Sequence, residues 1–346
     1  MHRDATKLEN HSVIEGDICI VGAGMAGIAM ALDWINTPYK VILLEGGGFN
    51  VEPEMQELYS GKNIGQRYYP LQSLRLHYFG GTSGHWAGFC SPFDPIDFKK
   101  REWVDHSGWP IQPEDMLPHY EQAGKMVELG SANFEFEHWK KADPEFVPLP
   151  FDDKVLWNKM WQFSPPTRFG TRYREDVLKA QNIFLYTYAN VVNIETDDHG
   201  FTVTQVDVSN LAGKRHTVKA KYFVIACCAI QNARLLLASN RKAPNGLGND
   251  RDLVGRFFMD HLEIMTADLF MPVSKQIKLY YPWVYSHTTV RAELAMTEHK
   301  QAELQVLNGT ASLIPTEIGL NKSANIDTFS DDAVATVQMW EEMNSQ

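Results

Sequence analysis

Gly22, Gly24 and Gly27 fall in Gly-Ala-Gly-Met-Ala-Gly, a spacing suited to holding a diphosphate. The first glycine permits a tight turn, the second lets a pyrophosphate approach the backbone, and the third lets a helix pack closely on a strand. Free N–H groups at the helix start, aided by its dipole, then face the anion. Ala23, Met25 and Ala26 complete the loop and contribute backbone to it. Glu45, followed by Gly46, ends the next apolar run and is placed to accept hydrogen bonds from a ribose. A glutamate rather than an arginine there disfavours a 2′-phosphate, which leaves FAD or NAD ahead of NADP. Without a ligand, the same glycines would be only a turn.

The surrounding elements favour the dinucleotide. DICIVG (17–22) reads as a buried strand, MAGIAMALDWIN (25–36) as a helix and VILLEG (41–46) as a second strand, a β-α-β unit with parallel strands. From 46 to 118 the text turns Gly-, Pro- and aromatic-rich, an irregular excursion of the kind that binds something. PEDMLPHYEQAGKMVELG (113–130) predicts a helix, Trp-rich and Pro-interrupted sequence follows to about 170, and TRYREDVLKAQ predicts another helix. ANVVNIETDD, GFTVTQVDVSN and RHTVKAKYFVIACCA then read as an antiparallel meander whose last strand rejoins the parallel sheet, with a helix from Gln231 to Ser239 after it. Alternating strand patterns around LEIMTADLFMP and AELQVLNGTASLI and a helix-like AVATVQMWEEMN close the chain. The fold class is therefore α/β (α+β overall): a Rossmann-like dinucleotide domain with an inserted antiparallel meander, then the beginning of a mixed-sheet domain. The expected boundaries are 12–112 with 170–256 for the nucleotide domain, and 113–169 with 257–346 for a substrate-binding or cap region.

Composition narrows the partners. Lys and Arg number 32 against 43 Asp and Glu among 346 residues, a net charge of −11, and no basic run stands out. Nucleic acid and anionic membrane surfaces are thereby disfavoured. The four cysteines include one adjacent pair and no Cys-x-x-Cys, which argues against a disulfide framework and a zinc site; no metal is expected. The longest apolar run, FVIACCAI (223–230), is far short of a membrane span. The charged N-terminal stretch lacks a signal peptide's pattern, so the cytoplasm is the expected compartment.

A further segment, RLHYFGGTSGHWAGFCSPFDPIDFKKREWVDHSGWPI (75–111), resembles the flavin-contacting stretch of the glucose-methanol-choline oxidoreductases, in their sugar and polyol dehydrogenase and pyranose-oxidase-like branch. FVIACCAIQNARLLLASN (223–240) and GLGNDRDLVGRFFMDH (246–261) resemble the same family, and with the glycine motif they stand in the family's order. The resemblance implies FAD as cofactor. Gly22, Gly24, Gly27 and Glu45 would bind its ADP half, and Gly80, Gly81, Thr82, Ser83, His85, Trp86 and Ala87 would follow the pyrophosphate and isoalloxazine. Val191 would meet adenine through its backbone, and Ala226 and Cys227 would lie on the strand beside the cofactor.

Gly-Gly-Thr-Ser-Gly-His resembles the pattern in which a histidine is bonded to the flavin, so His85 either carries the flavin covalently or packs against it. The implied activity is oxidation of a CH-OH group of a sugar, polyol or other alcohol, with hydride passing to flavin and electrons onward to a quinone, a cytochrome or oxygen. The family's catalytic histidine lies in a C-terminal segment with no counterpart here. His287 and His299 lack its context, and the catalytic residues stay unassigned. Three readings of that gap remain: a fragment of a longer protein, a short homologue completed by another chain, or a flavin-binding remnant without catalysis. An NAD-dependent dehydrogenase is the more distant alternative. Cys227 and Cys228, on an apolar run, read as core residues. Asp260-His261 reads as a structural connection, and Trp103, Trp109, Trp157 and Trp161 read either as sugar platforms or as core.

Overall fold

The computed structural model describes residues 1–65, 68–264, 278–285 and 287–314. Its strands in chain order are His2–Asp4 (β1), Val13–Glu15 (β2), Ile18–Val21 (β3), Val41–Leu44 (β4), Phe89–Cys90 (β5), Leu156–Phe163 (β6), Ile183–Thr187 (β7), Asn190–Thr196 (β8), Val203–Ser209 (β9), Arg215–Lys219 (β10), Tyr222–Ile225 (β11), Trp283–Tyr285 (β12), Thr288–Met296 (β13) and Thr310–Ala311 (β14). The chain divides into two compact units, one of residues 1–84 with 168–264, the other of 85–167 with described residues of the C-terminal part.

In the first unit, β3 and β4 are buried at every residue, as strands covered on both faces must be. They pair in parallel around helix Met25–Asp33 and sit inside a five-stranded parallel sheet ordered β1-β7-β4-β3-β11. Beside it lies the meander, β8-β9-β10, with β2 added in parallel to β10. Cys19, Ile42, Leu44, Val206, Val208 and Val218 share one apolar core, which joins the two sheets. The Rossmann-like sheet and inserted meander are thus as the pattern requires. Three strands carry no such signal: β1 and β2 are too short and polar to register, and β7 pairs with β4 from far along the chain.

The second unit is built on an antiparallel sheet ordered β12-β13-β6-β5, with β14 on β13. Met160, Val290 and Ala292 on one face pack with Trp139, Phe146, Leu279 and Tyr280. β5 pairs β6, and this is why the chain from His85 onward groups here, the units parting at 84/85 and not near 112.

Several expectations change. The stretch read as merely Trp-rich and Pro-interrupted contains β6. The helix expected from Gln231 to Ser239 runs from Cys228 to Ala238, and the one at 171–181 is two short helices, Phe169–Arg172 and Arg174–Lys179. AELQVLNGTASLI is not one strand: its first residues finish helix Glu298–Leu304, and only Thr310–Ala311 pairs. Thr297 explains this, because its side chain caps the helix by accepting from the Lys300 amide at 3.2 Å. The terminal AVATVQMWEEMN and nearly all of LEIMTADLFMP lie outside the described residues. Among the described residues no helix is long and apolar enough to cross a membrane.

Among the buried ion pairs of the second unit is one anchored on its sheet. Lys159 Nζ, on β6, lies 2.7 Å from Asp94 Oδ1, with side chains 10% and 13% exposed, and Asn308 Nδ2 donates to the other carboxylate oxygen at 2.7 Å. Removing one partner strands a buried charge. Lys159→Met is therefore expected to destabilise the protein by about 3 kcal/mol, read by urea unfolding. Adding Asp94→Asn should recover part of that loss, and additive losses would show that the two groups do not act as a pair.

Candidate cofactor site

β3 delivers the chain into Gly22, whose φ of +99° and whose amide bond to the Leu44 carbonyl at 2.8 Å turn it across the end of β4. A Cβ there would lie 2.7 Å from the Ala226 carbonyl oxygen, so the turn needs glycine. At Gly27 a Cβ would lie 1.9 Å from the Gly22 carbonyl oxygen, which is the close strand-helix approach expected of the third glycine. Gly24 caps the helix, and the first intrahelical bond runs from the Ile28 amide to its carbonyl at 2.9 Å. The amides of Met25, Ala26 and Gly27 therefore have no intrahelical acceptor. Apart from its chain neighbours, no protein atom lies within 4 Å of a Cβ built on Gly24, so the space beside the helix start is open.

The Gly80-Gly81 segment comes to the same place. The Gly80 amide donates to the Ala23 carbonyl at 2.8 Å, and a Cβ on Gly81 would sit 3.1 Å from Gly24 Cα. The two glycines carry φ of +103° and +54° and lead into a 3₁₀ turn, Gly81–Gly84. Thr82 is exposed on it. Ser83 is buried and spends its hydroxyl internally, donating to the Gly80 carbonyl at 2.7 Å and accepting from the Phe169 amide at 3.0 Å. Ser83 thus holds the turn in shape.

Glu45 already has protein partners. It is 5% exposed, and its carboxylate accepts from the Ala23 amide and the Gly47 amide, each at 3.0 Å. It ties the glycine loop after β3 to the chain after β4. Burial raises its pKa above the ordinary carboxylate value, against the opposing pull of His77 and of the backbone amides. Gly46 accepts from Asn190 Nδ2 at 3.3 Å, which brings the start of β8, and Val191 with it, to the end of β4. Ala226 and Cys227 follow β11: the Ala226 amide donates to Val21, and Cys227 Sγ to the Val21 carbonyl at 3.1 Å. Burial, then the nearby Glu45 and Cys228, push the Cys227 thiol up to about 12, so it stays protonated and inert at neutral pH. Cys228 is not a core residue: it is exposed, with φ +64°, at the head of helix Cys228–Ala238.

The structure therefore gathers residues 22–27, 45–46, 80–83, 191 and 226–227 in the first unit. His85, Trp86 and Ala87 belong to the second, where Trp86 Nε1 donates to the Thr167 carbonyl at 3.1 Å. His287 and His299 are exposed. Asp260 accepts from the Tyr68 hydroxyl and from the backbone amide of His261, a connection and not a dyad. Trp157 and Trp161 share one face of β6. Sequence reasoning misses Asn232, which accepts from the Cys227 amide at 2.9 Å and donates to Ile225, and Arg168, which donates to the Ser83 carbonyl at 2.9 Å. It also misses Gly170, where a Cβ would lie 2.2 Å from the Phe79 carbonyl oxygen.

A family model described as FAD dependent oxidoreductase matches residues 17–246. The chain belongs to this family. FAD-dependent oxidoreductases of the glucose-methanol-choline type are its kin, and the NAD alternative falls away. Paromamine 6'-oxidase of Streptomyces fradiae is 46% identical over 303 residues, covering 74% of this chain and 55% of that protein. The 2-methyl-1,2-propanediol dehydrogenase of Mycolicibacterium austroafricanum is 26% identical over 314 residues, covering 72% and 56%. Among solved structures, pyridoxine 4-oxidase from Mesorbium loti is similar at 20% identity with a TM-score of 0.42, over 65% of this chain and 52% of that one. The chain thus spans about half the length of the curated relatives it matches.

The raised Glu45 pKa has a pH consequence. The unfolded chain loses this proton at lower pH, near the ordinary value of 4.5, so above it the folded state holds more protons and stability falls as pH rises toward the folded-state pKa. Denaturation midpoints of wild type and Glu45→Gln, compared from pH 4 upward, are expected to diverge over that window, with the wild type showing the steeper decline. Parallel profiles would place the shift elsewhere.

Proposed function

We propose that the first unit holds FAD and that the protein oxidises a CH-OH group of a small hydroxylated substrate, a sugar or polyol, with the second unit bearing on the substrate. The observation that carries this reading is the open space before Gly24, rimmed by unpaired amides and backed by Gly80 and Gly81. A diphosphate suits it, since backbone donors and the helix dipole converge there. The amides of residues 24–27 would hold the phosphates, with Ala23 fixed behind them by Glu45.

Glu45 would keep the loop in place and still offer lone pairs to a ribose, because each carboxylate oxygen accepts more than one hydrogen bond. Val191 would lie against the adenine. Gly80, Gly81 and Thr82 would line the way towards the flavin. Ala226 and Cys227 would close the side at β11. Bound FAD supplies the acceptor for hydride from the carbinol carbon. The names of the relatives, an oxidase of paromamine and a dehydrogenase of a propanediol, support a hydroxylated substrate.

Gly24→Val tests the site directly. No neighbour lies within 4 Å to clash with the new Cβ, so the fold should survive while the diphosphate loses its place. Purified variant protein is expected to melt near wild type and to lack the flavin absorbance that wild type retains. A full complement of FAD in the variant would overturn the assignment. For activity, anaerobic bleaching of the wild-type flavin by sugars and diols is the expected outcome, and a spectrum unmoved by any alcohol would leave a binding protein without turnover.

A further inference from the structure

Arg75 is 7% exposed, and no carboxylate among the described residues answers its charge. Nη2 donates to the Leu71 carbonyl at 3.2 Å, Nη1 reaches only Cys228 Sγ at 3.9 Å, and Nε has no partner. The guanidinium lies 4.6 Å from the centre of the Tyr59 ring, which stacks on His77 at 4.4 Å. Burial raises the Tyr59 phenol further from ionisation, so that ring offers a π face and no counter-charge. A buried guanidinium with five donors and one ordinary hydrogen bond is an expensive arrangement unless an anion completes it.

Its neighbours say where that anion belongs. Cys228 follows Cys227, whose Sγ would lie 3.1 Å from a Cβ on Gly22, the first glycine of the loop. His77 Nε2 would lie 2.1 Å from a Cβ on Gly46, the residue after Glu45. Arg75 thus stands with its stacked rings at the carboxyl ends of β3, β4 and β11, where open parallel sheets bind their ligands. Cys228 is held at φ +64° beside it, a backbone conformation that a non-glycine residue adopts at some cost and that clusters at binding sites.

We propose that Arg75 is the counter-charge of the bound dinucleotide's diphosphate, adding a side-chain cation to the backbone amides of the glycine loop. The inference rests on the FAD reading above and goes beyond it by giving a role to Arg75, the first residue of the 75–111 segment, to which the sequence reading assigned none. A guanidinium presents a planar fork to phosphate oxygens, so the pairing is both charged and directional.

The full chain, freed of flavin, would be titrated with FAD, ADP and adenosine by calorimetry. Arg75→Gln is expected to weaken FAD and ADP at least about tenfold, the scale of one charge-assisted hydrogen bond, and to leave adenosine unchanged. Arg75→Lys, which keeps the charge and loses the fork, should fall between, and it serves if the glutamine variant does not fold. Wild-type ADP affinity in either folded variant would overturn the role of Arg75 while leaving the FAD site standing. An equal loss for adenosine and ADP would also overturn it, since that marks damage to the Tyr59-His77 stack. A wild type that binds neither FAD nor ADP would sink the cofactor reading and this proposal with it.

Discussion

The Gly22 carbonyl stands where a side chain on Gly27 would have to begin, and most of the first unit follows from that contact. It draws the helix start down onto the end of β3, which points the helix's unpaired amides into the space ahead of Gly24. With the loop so tight, the chain at Gly80 can bond to Ala23 from the other side. Glycine is required twice here for different reasons. Gly22 needs a left-handed backbone and room beside Ala226, whereas Gly27 needs only the absence of a side chain.

The two units solve the burial of charge in opposite ways. Glu45 has no cation bonded to it and is answered by backbone amides, so the cost of its burial shows as a raised pKa. Lys159 and Asp94 answer each other, with Asn308 filling a remaining lone pair. The first arrangement binds loops together. The second ties the start of helix Pro95–Phe98, which Asp94 caps, to β6.

Legibility followed sequence distance. The strand-glycine-helix-strand unit could be read because each part constrains the next within a few residues, and the meander because its strands alternate and its turns carry Gly200 and Gly213 in left-handed conformations. β6 could not, since Trp157-Asn-Lys-Met-Trp-Gln-Phe163 mixes charge and aromatics and finds its partner β13 only late in the chain. The role of Glu45 was half legible: its position at the end of β4 was, but not the pair of amides that occupies its carboxylate. Arg168 and Gly170 gave no signal, because their meeting with Ser83 and Phe79 is made by the fold and not by local pattern.

The order of the parallel sheet also has a bearing on how the protein is made. β3 and β4 leave the ribosome early, yet their outer neighbours, β11 and β7, come from residues 222–225 and 183–187. At ordinary elongation rates this leaves the two apolar strands without their outer partners for roughly seven to forty seconds. Pairings so distant in the chain are slow to form, and unpaired hydrophobic strands invite association with other chains. Yield from a heterologous host should therefore depend on holding chaperones and on slow synthesis more than on the stability of the finished domain.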